Sequence, residues 1–237
     1  MSLSASSLHA WDVSIDEAKT IQESLARRVQ ECPLPGPIGT VAGIDVSFPQ
    51  KGIARAAVVV LSYPDQVPLH QVIAEQPVRF PYVPGLLSFR EVPVVLEAIR
   101  KLVSIPDILI CDAHGRAHFR RLGLASHLGL ILGHPTIGCA KSRLVGTFQN
   151  PGRQKGDWTW LMAGDETLGA VVRTRTDVRP VFVSIGHRID LRTAIEVVLA
   201  SAIRYRLPEP TRLAHHAAAG SQIIPPIALH NMPRSGG

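Results

Sequence analysis

Residues 107–146 read DILICDAHGRAHFRRLGLASHLGLILGHPTIGCAKSRLVG, and the chemistry of the chain concentrates there. A short apolar run ends abruptly on a carboxylate, Asp112. His114, Gly115 and His118 follow, interleaved with Arg116, Arg120 and Arg121. An acid at a strand end beside His, Gly and Arg is the composition of a place where a metal ion meets an anion. A second acid, Asp45, lies inside VAGIDVSF. Strand alternation puts it on the face opposite Ile44 and Val46. A mid-strand acid is costly to bury without a partner or a cation, although a solvated strand face would also accept it. Asp45 and Asp112 on adjacent central strands would meet at one ion. Hard divalent cations take oxygen ligands, so Mg²⁺ is the expected metal, with Mn²⁺ as the alternative.

Glu91 is the third acid, and local sequence leaves two readings open. Ser88 and Glu91 fit a capping box, a structural device. Pro93 would then break the second turn, whereas a helix beginning at Pro93 leaves Glu91 outside it, free to face a site. His114 and His118 have the spacing of helical zinc ligands, but Gly115 between them disfavours a helix and no HExxH or Cys pattern accompanies them. His114 is read as a hydrogen-bonding residue, and His127 and His134 as structural. Lys141 is either a surface lysine or a cation placed to offset the charge of a phosphate. Phe80 to Gly85, FPYVPG, is stiffened by Pro81 and Pro84. It serves either as a rigid connection or as a wedge, with Tyr82 at its tip, that pushes between bases.

These residues need elements to position them. Residues 14–30 predict a helix, opened by a Ser14/Glu17 capping box and carrying Ile15, Ala18, Ile21, Leu25 and Val29 at helical spacing. Strands are expected at 40–48, 53–62 and 69–77, separated by turn-rich segments that favour an antiparallel meander. A loop at 81–85 leads to a helix ending near Val103. A buried strand at 107–112, a helix at 121–132 and a strand at 136–140 follow. The resulting β-β-β-α-β-α-β order is an α/β fold with a mixed sheet. Further strands are expected at 159–163, 168–174 and 180–184, and helices at 191–205 and 210–219. Residues 1–219 form one catalytic domain in this reading, and the Pro- and Gly-containing stretch 220–237 a flexible tail.

Composition agrees. The 237 residues are 46% hydrophobic, enough for a substantial core, and carry a net charge of +6 with a pI near 9.6, which favours an anionic partner. Cys32, Cys111 and Cys139 are scattered without CxxC spacing and read as free thiols. The expectation is a cytoplasmic monomer: no apolar run reaches the roughly 20 residues of a membrane span, and the N-terminus lacks a signal-peptide pattern.

The DAHGRAH block, together with VAGIDVSF, FPYVPGLLSFRE, VFVSIGH and LPEPTRLAH in that order, resembles the endonuclease V family. Ala113 stands where the family usually has Gly, and Phe119 where it usually has Pro. The resemblance implies a ribonuclease H-like mixed sheet flanked by helices. It also implies a metal-dependent endonuclease that repairs deaminated adenine by hydrolysing the second phosphodiester bond 3′ to deoxyinosine or inosine in nucleic acid. It gives Asp45, Glu91 and Asp112 to the metal, with His215 as a further ligand. It makes His118 and Lys141 catalytic residues, and resolves the readings of Glu91 and Lys141 in favour of function. Pro81, Tyr82, Val83 and Pro84 become the wedge, Arg90 a substrate contact beside Glu91, and Leu87 and Gly115 the lining of a pocket for the displaced base. Two alternatives stand beside this one: a recombinase or junction resolvase on the same fold, and a protein that binds the lesion without cutting it.

Overall fold

Two tight connections fold the first three strands onto one another. The computed structural model, which describes residues 8–224, has β1 at Thr40–Gln50, β2 at Ile53–Ser62 and β3 at Pro68–Pro77, paired antiparallel in turn. Strands β4 (Ile108–Cys111) and β5 (Thr136–Ala140) then add in parallel on the other side of β1. The hairpin of β6 (Trp158–Ala163) and β7 (Glu166–Val172) and the strand β8 (Val181–His187) complete the sheet, in the order β3-β2-β1-β4-β5-β8-β7-β6. This is the expected ribonuclease H-like mixed sheet. The part not foreseen is that β8 inserts between β5 and β7, antiparallel to both.

Strand alternation sorts the apolar side chains into two layers. Ala42, Ile44, Val58 and Leu109 face α2 (Leu87–Ile99) and α3 (Leu124–Leu132), while Val41, Val59, Ile108 and Ile110 face α4 (Leu191–Ser201) and α5 (Glu209–Ala218). Helix α1 (Ile15–Ala26) packs outside α3. Its expected capping box is formed, with Ser14 N donating to Glu17 Oε2 at 2.7 Å and Glu17 N to Ser14 Oγ at 3.3 Å. It ends at Ala26, short of the expected Gln30, and α4 ends at Ser201 rather than near 205.

Neither local reading of Glu91 describes the backbone. Helix α2 starts at Leu87 with Leu86 as an N-cap that makes no side-chain bond, and Pro93 lies inside it. The chain accepts the lost hydrogen bond because Phe89, Val92, Val94, Val95 and Leu96 of this helix are buried. Glu91 is therefore a helical residue. Of the expected tail, Ile223 and Ile224 donate backbone bonds to Gln71 Oε1 at 2.9 and 3.4 Å, and residues 225–237 lie outside the described residues. Among the described residues no helix is long and apolar enough to cross a membrane.

Candidate active site

Register brings the two strand acids together. In the parallel pairing of β1 with β4, Ile44 lies opposite Cys111, and Asp112 N donates to Ile44 O at 3.2 Å. Asp45 and Asp112 are therefore the next residues on adjacent strands. Asp45 continues the alternation of Val41 and Gly43, and Asp112 that of Ile108 and Ile110, so both point to the α5 face. Helix α5 reaches that face because residue 43 has no side chain: a Cβ there would lie 1.9 Å from Pro210 O and 2.4 Å from Thr211 N. The close approach carries His215, in the last turn of α5, to Asp45, with Nδ1 at 2.8 Å from Oδ2. One ligand atom from each of Asp45, Asp112 and His215 falls within 4.8 Å of the others.

The charges in this group are crowded. Burial raises the Asp45 carboxyl above its ordinary value, the His215 hydrogen bond lowers it, and Asp112 raises it further. Glu91 does not belong to the close group of three, but burial and the charge of Asp45 push it up to about 8, with Arg90 opposing and Asp112 adding. Lys141, just past β5, places Nζ 2.5 Å from Asp112 Oδ2, whose side chain is only 6% exposed. Carboxylates that disfavour one another's ionisation, plus an imidazole nitrogen, fit a divalent cation, which would relieve the repulsion. Asp45, Asp112 and His215 would hold it directly, with Glu91 beside them.

The group opens into a cleft of about 520 Å³, lined also by Tyr82, Val83, Pro84, Leu87, His114 and His118. Tyr82 is 70% exposed at the rim. Gly85 ends the loop with φ of +81°, a conformation that favours glycine. Its carbonyl accepts Arg120 Nη2 at 2.9 Å and Gln22 Nε2 at 3.0 Å. Gln22, 1% exposed, also donates to Leu122 O at 3.0 Å and accepts from Arg120 Nε at 2.6 Å. This closed clasp fixes the loop against α1 and the segment after β4. Sequence reasoning missed Gln22; the available signal was a polar residue on the buried stripe Ala18, Gln22, Leu25.

Other expected site residues take different places. His118 is buried, and burial, followed by Arg120 and His114, lowers its pKa to about 4, while contact with the Gly85 backbone opposes this. It is thus a neutral imidazole tied to the loop rather than a member of the carboxylate group. Burial likewise lowers His114 to about 4, against a contact with the Ser142 backbone. His127 and His134 are hydrogen-bonded to Ser88 Oγ and Pro106 O, as structural residues would be. Arg90 donates to Phe80 O at 2.9 Å and stacks 4.6 Å over Phe48, so it braces the base of the loop instead of facing the cleft. Pro81 is exposed outside the cleft lining. Gly115 does not line the cleft either: a Cβ there would lie 2.1 Å from Ile185 O, so this glycine lets the segment after β4 pass against β8.

A ribonuclease H-like sheet that gathers acids and a lysine from its central strands, and an imidazole from α5, has the make-up of a metal-dependent nuclease. The endonuclease V sequence profile matches residues 23–216, and the chain belongs to that family. It is 50% identical over 215 residues to endonuclease V of Roseiflexus castenholzii, covering 91% of this chain and 96% of that protein. The crystal structure of endonuclease V from Streptomyces avermitilis superposes with a TM-score of 0.84 at 41% identity, covering 89% of this chain and 93% of that one. The Ciona intestinalis endonuclease V, in complex with a 24mer DNA containing an inosine followed by a ribo-adenosine, has a TM-score of 0.77 at 28% identity, covering 86% and 96%. The chain is therefore an endonuclease, a hydrolase of a metal-dependent family, and the resolvase alternative falls.

Proposed function

We propose that this chain is a Mg²⁺-dependent endonuclease of deaminated-adenine repair. It acts as a cytoplasmic monomer with one catalytic domain over residues 1–219, on nucleic acid containing deoxyinosine or inosine. It cuts the second phosphodiester bond 3′ to the lesion. The observation that carries this reading is the Asp45, Asp112 and His215 group at the floor of a cleft whose rim is the braced FPYVPG loop. Mg²⁺, with Mn²⁺ able to replace it, would supply Lewis acidity to the phosphate and to the attacking water. Lys141 offsets phosphate charge beside Asp112. Tyr82 enters the base stack, and Val83, Pro84 and Leu87 receive the displaced base with His118 as a neutral hydrogen-bonding wall. Surface arginines and lysines hold the flanking phosphates. The test is cleavage of end-labelled single- and double-stranded oligonucleotides, with and without one inosine, in Mg²⁺ or Mn²⁺. Cutting that ignores inosine, or that proceeds in EDTA, would overturn the reading.

A further inference from the structure

Away from the catalytic group, strand β6 forms one edge of the sheet and exposes two indoles. Trp158 is 38% and Trp160 51% exposed, with ring centroids 4.6 Å apart in an edge-to-face pair. They line a groove of about 590 Å³ together with Thr147, Phe148, Gln149 and Met162. Two exposed tryptophans in one groove are an unusual expense of apolar surface and mark an interaction site. No acidic residue lines this groove, although Trp160 also borders a second groove in which Glu31 and Asp190 stand beside Arg116 and Arg192. One cation is already at its edge: the Arg143 guanidinium sits 5.9 Å over the Phe148 ring.

The segment after β5 runs from the catalytic cleft to this groove. Lys141, Ser142 and Leu144 line the cleft, and Thr147 and Phe148, a few residues on, line the groove. Thr147 and Met162 exchange backbone hydrogen bonds at 2.7 and 2.8 Å, which stitches this segment to β6 and holds the two surfaces in a fixed relation. Aromatic faces beside a basic side chain, a few residues along the chain from a phosphate-handling cleft, are the recurrent composition of a platform for nucleic-acid strands.

We propose that Trp158, Trp160 and Phe148 form an accessory platform on which bases of the substrate strand stack after that strand leaves the catalytic cleft. This rests on reading the cleft as a nucleic-acid site. Fully extended, the chain from Lys141 to Phe148 spans no more than about 25 Å. A strand in duplex geometry covers that in roughly seven nucleotides at about 3.4 Å each. The platform is therefore reached within at most about seven nucleotides past the cleft, and strands that end at the cleft do not reach it.

The test compares the full chain with a Trp158→Ala/Trp160→Ala variant. Anisotropy reports binding of fluorescein-labelled single strands of graded length, each with one deoxyinosine, extended on the 5′ or the 3′ side. The ratio of wild-type to variant affinity should grow with length on one side, reaching about tenfold or more once the platform is spanned. Trp158→Phe/Trp160→Phe should recover most of the loss, because a smaller ring still stacks. A ratio that stays near one at all lengths would overturn the platform. So would an equal loss at every length, which would mean that the substitutions disturb the cleft or the fold. A wild-type dimer that the alanine variant dissociates would assign the surface to a second copy of the chain and would also overturn it. Failure of the proposed function is distinguishable, since it shows as wild-type binding indifferent to inosine whatever its length dependence.

Discussion

Gly43→Ala should disable cleavage without touching any catalytic side chain. The added Cβ would meet Pro210 O at 1.9 Å and its carbonyl carbon at 2.0 Å, and neither backbone atom can rotate away. Helix α5 would have to retreat by about 1.5 Å to bring that 1.9 Å approach to an ordinary 3.4 Å contact. His215 rides on α5, 2.8 Å from Asp45, so the retreat breaks this hydrogen bond and spreads the ligand group. Overpacking of this kind costs about 1–3 kcal/mol, which in a domain of this size lowers Tm by roughly 2–12 °C. A displacement above 1 Å in a reacting constellation costs on the order of 100-fold in rate. Thermal unfolding and single-turnover cleavage of an inosine strand read the two effects separately. A Gly43→Ala protein with wild-type cleavage would refute the idea that the close approach of α5 positions the ligand group.

Tyr82→Ala, at a 70% exposed rim position, should reduce discrimination for inosine by about 1–3 kcal/mol with little change in Tm; a large stability loss with discrimination intact would make the loop a structural connection. Gln22→Met keeps volume but takes the side-chain partner from Leu122 O and Arg120 Nε, at about 1–3 kcal/mol for each group left unsatisfied, while Gly85 O keeps Arg120; KM for the inosine strand should rise more than kcat falls, and an unchanged KM would separate Gln22 from the loop's function. Burial holds His114, His118 and His187 down at about 4 and His127 at about 3, below the ordinary 6.5. The unfolded chain binds these protons first, so the stability they contribute is present above about pH 6.5 and is lost as pH falls toward 4, by up to about 1.4 kcal/mol per pH unit for each imidazole. Urea titrations should show this slope, made shallower by His127→Asn; a slope unaltered in that variant would contradict the assignment.

Much of the sheet and its acids was legible because those signals are local. Alternation fixed the faces of Ile44, Asp45 and Val46, and an apolar run stopped by Asp112 marked a strand end. What stayed hidden depends on contacts distant in sequence. The rule that Pro93 should begin a helix failed because the buried face of α2 outweighs one missing bond. The resemblance puts Gly115 in a pocket lining and nothing local singles out Gly43; only packing shows that Gly43 admits α5 and Gly115 admits β8. Arg90 beside Glu91 looked like a substrate contact, yet Phe80 O and Phe48 already occupy it. The position of β8 between β5 and β7 left no trace in its own sequence, a mostly apolar run that is buried throughout as any doubly covered strand would be.

The central claim is that Asp112, beside Asp45 and Lys141, holds the metal at which the phosphodiester is hydrolysed. Asp112→Asn keeps the shape of the side chain and removes its charge. Single-turnover cleavage of an inosine-containing strand in Mg²⁺ should fall by two orders of magnitude or more, on the order of what losing a main electrostatic group at a reacting centre costs. Binding of the same strand in Ca²⁺ should persist. Near wild-type cleavage by the Asn variant would contradict the account.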